Sequence, residues 1–159
     1  MIKAGDRIPA TKLVSAGPDG PRETSTDEVF GDKRVVLFGV PGAFTPTCSM
    51  KHLPGFVEHE GALRAKGVDR IACVAVNDAF VLGAWAKQEG VGEGILMLAD
   101  GSGAFIKALG LELDLSARGM GVRSQRFALV AKDGVVERVS VERPGEFDVS
   151  RVERVLAEL

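Results

Sequence analysis

Three short apolar runs constrain this chain more than any other feature. They are "KRVVLFGV" (Lys33–Val40), "RIACVAVN" (Arg70–Asn77) and "ILMLAD" (Ile95–Asp100). None shows the strict alternation of a strand with one wet face. Runs of this length and branched, apolar character read as strands buried on both sides. Such strands need helices over both faces, and parallel neighbours need a crossover between them. The intervening segments supply those crossovers. From Cys48 through Leu63 apolar residues recur at helical spacing, and Pro54 predicts a kink or break. "DAFVLGAWAKQEG" (Asp78–Gly90) predicts a helix capped by Asp78 and ended by Gly90.

Further on, "GAFIKALGL" predicts a short helix and "LELDLSARGMGVRS" a charged, glycine-rich loop. "QRFALVAKDGVVERVSVE" predicts two strands around a Lys-Asp-Gly turn. The tail "DVSRVERVLAEL" puts Val149, Val152, Val155, Leu156 and Leu159 on one helical face, with Asp148 or Ser150 as cap. The order implies an α/β chain with a mixed central sheet flanked by helices on both faces. Its 159 residues form one domain, 1–159, long enough to bury a core. A net charge of −2 offers no global field to nucleic acid or an anionic membrane. No apolar run reaches membrane-span length and no signal pattern opens the chain, so the expected address is cytoplasmic.

"PGAFTPTCSMKH" (Pro41–His52) sits between the first strand and its helix. Cys48 there follows a buried strand and opens a predicted helix. Reactive groups in such sheets gather at the carboxyl ends of the strands. A helix start presents unpaired N–H groups and partial positive charge, and both stabilise a thiolate, the reactive form. Thr45 supplies a hydroxyl three residues earlier, while Pro41 and Pro46 stiffen the loop. Free cysteines are commonly small core fillers, but prolines and threonines make poor company for that duty.

Cys73, in the second apolar run, reads as a buried, inert thiol. Two cysteines do not make a disulfide framework. Cys48, His52 and His59 crowd one segment without a Cys-x-x-Cys pair, which argues against a metal site. His52, four residues after Cys48, suggests a Cys–His nucleophile or, more simply, a histidine with a hydrogen-bonding duty. His59 reads as a surface residue without a partner. Trp85 and Phe80 share a predicted helix face and read as core. "GAFTPTC" lacks the Gly-Lys-Ser/Thr ending of a phosphate loop.

Pro41, Thr45 and Cys48 match the pattern Pro-x-x-x-Thr/Ser-x-x-Cys of peroxiredoxins. "GVPGAFTPTCSMKHLPGFVE", "VAVNDAFVLGAW", "LGLELDLSARGMGVRSQRFALV" and "DGVV" extend the resemblance over nearly the whole chain. The chain resembles the peroxiredoxin 5 and plant type II subfamily. That resemblance implies a thioredoxin-like fold and a thiol peroxidase acting on hydrogen peroxide and small alkyl hydroperoxides, with no cofactor. Cys48 would be the peroxidatic cysteine, passing through a sulfenic acid. Thr45 would hydrogen-bond the thiolate and the peroxide, and Pro41 would cover the site. Arg126, in "QRFALV", would keep the sulfur ionised and polarise the peroxide; spacing alone does not separate it from Arg123.

The resemblance also makes Cys73 a possible resolving cysteine, as in plant type II members, although a mid-strand thiol lies far from a helix start unless that helix opens. Otherwise an outside thiol, glutathione with glutaredoxin or else thioredoxin, regenerates the enzyme. It implies a homodimer with Phe44 and Phe80 near the interface. Two other readings compete. A thioredoxin-like dithiol–disulfide oxidoreductase lacks its Cys-x-x-Cys here, since Ser49, Met50 and Lys51 follow Cys48. A non-catalytic holdase or binding module would not need Pro41, Thr45, Cys48 and Arg126 together.

Overall fold

The computed structural model describes all residues, Met1–Leu159. It opens with a hairpin that no apolar run announces. Strands β1 (Lys12–Gly17) and β2 (Gly20–Ser25) pair antiparallel, and helix α1 (Thr26–Phe30) follows, capped by Ser25 Oγ accepting from the Glu28 N–H. Only Leu13 and Ala16 of β1, and nothing of β2, are buried. A peripheral hairpin needs no continuous apolar run, and so the hydrophobic pattern missed it.

The three apolar runs become β3 (Arg34–Gly39), β4 (Arg70–Ala75) and β5 (Ile95–Ala99). Two helices, α2 (Leu53–Glu58) and α3 (Glu60–Ala65), join β3 to β4, and α4 (Ala79–Gln88) joins β4 to β5. Asp78 caps α4 as expected, accepting from the Val81 N–H at 2.8 Å. Helix α5 (Ala104–Leu109) follows β5. The expected glycine-rich loop is partly ordered: β6 (Glu112–Asp114) and β7 (Val122–Ser124) form a separate antiparallel ribbon, with a 3₁₀ turn at Ser116–Arg118 between them. Strands β8 (Phe127–Lys132) and β9 (Val135–Val141) form the expected hairpin. Its two turn residues, Asp133 (φ 46°) and Gly134 (φ 76°), are both left-handed, the geometry that matches strand twist. Helix α6 (Val152–Glu158) ends the chain. Neither Asp148 nor Ser150 caps it, because both belong to a loop that is tied down elsewhere.

The seven-stranded sheet has the order β2-β1-β5-β4-β3-β8-β9. The three central strands are parallel and the outer pairings antiparallel, which confirms the mixed sheet. Side-chain alternation along the central strands divides the core in two. Val36, Phe38, Ile71 and Cys73 face α2, α3, α4 and α6 in a cluster of 22 buried residues. Val35, Leu37, Ala72 and Val74 face α1 and α5 in a second cluster of 18. No helix is long and apolar enough to cross a membrane. Trp85 is wholly buried as expected, but Phe80, predicted to be core, is 77% exposed. Only a narrow face of α4 meets the sheet, and Phe80 lies off it. His59 is half-buried rather than a free surface residue, with Nδ1 bonded to the Gly55 carbonyl at 2.9 Å.

Candidate active site

The site forms where β3, a central strand, ends at its carboxyl edge and the chain turns into the helical segment that carries Cys48. The turn is held from both sides. The Ala43 N–H donates to Asn77 Oδ1 at 2.9 Å, which ties it to the end of β4. Phe44 adopts a left-handed backbone (φ 64°) and points outward, 47% exposed. Strain of this kind in a non-glycine residue is kept where the surroundings over-determine the backbone.

Cys48 does not open the helical segment as expected: the helix starts at Pro46 and Thr47, and Cys48 begins a π turn within it, Cys48–His52, in which the Leu53 N–H reaches back to the Cys48 carbonyl. A π turn adds one residue to the turn, rotating the remainder of the segment by about 100° relative to a regular helix. Pro54 falls two residues after it, where its missing N–H leaves the regular ladder unmade. A second break at His59 (φ −104°) divides the segment again, so the single interruption expected at Pro54 is in fact a π turn and a kink. Trp85 Nε1–H donates to Ser49 Oγ at 2.9 Å and fastens the residue after Cys48 to α4.

Cys48 is fully buried, yet its sulfur is not left among hydrocarbon alone. Arg126 Nη2–H donates to Cys48 Sγ at 3.1 Å. Strand parity accounts for this placement. Arg126 lies two residues before Ala128 on the face of β8 that meets the Cys48 helix, whereas Phe127 faces the other cluster. The rival, Arg123, sits in the outer ribbon and donates from Nε to the Met120 carbonyl at 2.9 Å. A hydrogen bond donated by a charged guanidinium is among the stronger ones a protein makes.

His52 is buried beside this pair. Its Nε2 lies 3.0 Å from the Ser150 carbonyl, which can only accept, so Nε2 carries the proton. Nδ1 is therefore the acceptor for Arg126 Nη1–H, at 3.0 Å. Burial first, and the Arg126 charge second, push the imidazole from 6.5 down to about 3, against the opposing pull of the Ser150 carbonyl. His52 is thus a neutral ring that orients the guanidinium and does not touch the sulfur's proton.

The other expected residues surround a cleft of about 500 Å³ whose lining includes Pro41, Thr45, Leu113, Met120, Arg126 and Glu142. Thr45 Oγ–H donates to the Gly42 carbonyl at 2.7 Å rather than to the sulfur, so the bond expected between Thr45 and Cys48 is not made. The hydroxyl closes the turn, and Thr45 lines the cleft. Cys73 lies mid-sheet, between Phe38 and Met97, in the same core cluster as Cys48 and with no disulfide between them. Burial, then the nearby Cys48 charge, push its thiol well above the ordinary range, with Arg126 acting weakly the other way.

Sequence reasoning missed three participants. Glu142 comes directly after β9, opposite Arg126, and its N–H donates to the Arg126 carbonyl at 2.9 Å. Its Oε2 accepts from the Asp148 N–H (2.6 Å), the Ser150 N–H (2.9 Å) and Ser150 Oγ–H (2.7 Å). Burial raises this carboxyl, but the bonds from Ser150 and Asp148 prevail and hold it below 4.5. Phe147 lays its ring against His52 at 5.2 Å, with Arg126 at 5.9 Å and Arg151 at 5.1 Å from its centroid. Cross-strand pairing with Arg126 was a signal for Glu142; nothing local marked Phe147 or Ser150.

A family model described as Redoxin matches residues 3–156. The chain is 51% identical over 163 residues to "Peroxiredoxin-2E-2, chloroplastic" of Oryza sativa subsp. japonica, across 99% of this chain and 72% of that protein. The chain belongs to the peroxiredoxins. Two crystal structures of a Vibrio vulnificus peroxiredoxin, Prx3, share its fold closely. The reduced form in complex with hydrogen peroxide matches with a TM-score of 0.94 at 49% identity, over 99% of each chain. The oxidised form matches with a TM-score of 0.91 at 50% identity, over 100% of each chain. This peroxiredoxin is accordingly a thiol peroxidase on a thioredoxin-like fold, related to the plant type II enzymes.

Proposed function

We propose that Cys48 is the peroxidatic cysteine and that it reduces hydrogen peroxide and small alkyl hydroperoxides. One observation carries the reading: a guanidinium donates to a fully buried sulfur at 3.1 Å, beside a cleft lined by Pro41 and Thr45. The thiolate attacks the terminal peroxide oxygen, an S–O bond forms and the O–O bond breaks. The sulfur is oxidised to a sulfenic acid, and the other oxygen leaves as water or an alcohol after taking a proton. Arg126 bonds the sulfur and, as the charge moves, the departing oxygen. The lone pairs of Thr45 accept from the peroxide O–H, and Pro41 keeps bulk water off the cleft.

The sulfenic acid then condenses with a thiol, releasing water, and a second thiol releases Cys48. We assign both to an outside donor, glutathione with glutaredoxin or else thioredoxin. Cys73 is locked in a central strand with its thiol pushed up, which leaves it a poor nucleophile. Its place in the same core cluster supports a second reading, in which the Cys48 helix opens and the two sulfurs join. We place the enzyme in the cytoplasm, since two cysteines make no structural disulfide framework. The exposed Phe44 and Phe80 suit a homodimer, burying rings that a monomer leaves wet.

The deciding experiment is the intact mass of reduced protein seconds after one equivalent of hydrogen peroxide. A gain of one oxygen, absent in Cys48→Ser, supports the one-cysteine cycle. A loss of two hydrogens makes Cys73 the resolving thiol. An unchanged mass overturns the assignment of Cys48.

A further inference from the structure

The contacts around Arg126 close into a ring. Its carbonyl accepts from the Glu142 N–H, Glu142 Oε2 holds Ser150, the Ser150 carbonyl holds His52 Nε2–H, and His52 Nδ1 accepts from the Arg126 guanidinium. We propose that Glu142 is a positioning residue for the peroxidatic sulfur: through Ser150 and His52 it fixes the guanidinium of Arg126 on Cys48 Sγ. This rests on the reading of Cys48 as the attacking sulfur.

Arg126 has no carboxylate partner, so its direction depends on a neutral acceptor. An imidazole nitrogen accepts only in the right tautomer, and that tautomer is set by what the other nitrogen meets. Here it meets the Ser150 carbonyl, whose position depends on Glu142. Without that carbonyl the proton could sit on Nδ1, and a donor would then face the donor of Arg126. Arg126 is the sole charged group bonded to His52. The rings of Phe38, Phe56 and Phe147 pack around it, and Glu142 reaches it only through Ser150.

A cap that merely tidied the loop would not need this arrangement. Glu142 is 5% exposed, one carboxylate oxygen takes three donors, and the other, Oε1, is buried without any partner. Burying a charge with an unmet oxygen is costly. Three donors gathered on Oε2 give a stiffer anchor for Ser150 than a neutral side chain would.

The test is a double-mutant cycle on the rate of Cys48 oxidation by hydrogen peroxide, read by stopped flow. Thiolate absorbance against pH is recorded for each variant, and thermal unfolding runs alongside. Glu142→Gln is expected to slow oxidation about tenfold, and the milder Ser150→Ala, which removes one of the three donors, about threefold. The pH profile of the thiolate should shift in both. In a His52→Phe background neither change should slow the reaction further, because the route to Arg126 is already cut. Equal slowing with and without His52, or wild-type rates and profiles in both single variants, overturns the proposal. If Glu142→Gln does not fold, Ser150→Ala alone carries the same cycle. A wild-type protein inert toward peroxide would refute the reading of Cys48 instead, and the two failures are thereby distinct.

Discussion

Replacing Arg126 with methionine keeps an unbranched side chain of similar reach and removes the charge. The loss can be worked from the site. The guanidinium donates to the sulfur at 3.1 Å. A hydrogen bond to a charged group contributes about 1.5–3 kcal/mol net, which is roughly 10- to 150-fold in rate. Coulomb attraction at that separation, with an effective dielectric near 20, sets an upper bound of about 5 kcal/mol. Removing Arg126 also strips His52 Nδ1 of its donor and frees the imidazole from a neighbouring positive charge, one of the two causes of its low value. Oxidation of Cys48 in Arg126→Met should therefore fall at least tenfold and by up to several thousand-fold. Stopped-flow fluorescence of Trp85, which bonds the residue next to Cys48, tracks the reaction directly. Arg123→Met serves as the control and should stay within about threefold of wild type, because its half-buried guanidinium bonds the Met120 carbonyl and not the sulfur. If Arg126→Met reacts as fast as wild type while Arg123→Met collapses, the reasoning from the hydrogen bond is wrong.

Other predictions concern stability and assembly. His52 is held at about 3 against 6.5 unfolded, so the unfolded chain binds the extra proton between those values. Stability should be complete above pH 6.5 and decline toward pH 3 by at most about 1.4 kcal/mol per pH unit. Glu142 acts in the same direction, its contribution being lost as pH falls through its lowered value. Urea midpoints across this range should fall less steeply in His52→Gln, and an unchanged slope would count against a buried neutral imidazole. Gly39→Ala places a Cβ inside the Phe127 ring, its antiparallel partner; it should cost about 1–3 kcal/mol in urea unfolding, and no loss would mean the ring moves freely. Phe80→Ser should leave protomer stability within about 0.5 kcal/mol but weaken self-association in sedimentation, whereas a monomeric wild type would sink the dimer reading.

The residues of the candidate site were readable because their cause is local. A thiol set between prolines and a threonine, at the end of an apolar strand, needs no tertiary knowledge to look reactive. The central strands were equally plain, since burial on both faces leaves an unbroken apolar run. The N-terminal hairpin was not, because peripheral strands with wet faces lack that run.

Tertiary structure alone decided what surrounds the sulfur. Arg126 and Arg123 are three residues apart and chemically alike, and only pairing with β3 put one on the Cys48 face and the other in a peripheral ribbon. Thr45 satisfied a neighbouring carbonyl first, a competition that a motif does not reveal. Phe147 and Ser150 reach His52 from a loop about a hundred residues away, and Glu142 holds Ser150 there. Local spacing fixes which groups share a helix or strand face. Contacts between groups far apart in sequence exist only once the sheet order has brought their elements together, and that order is a property of the whole core.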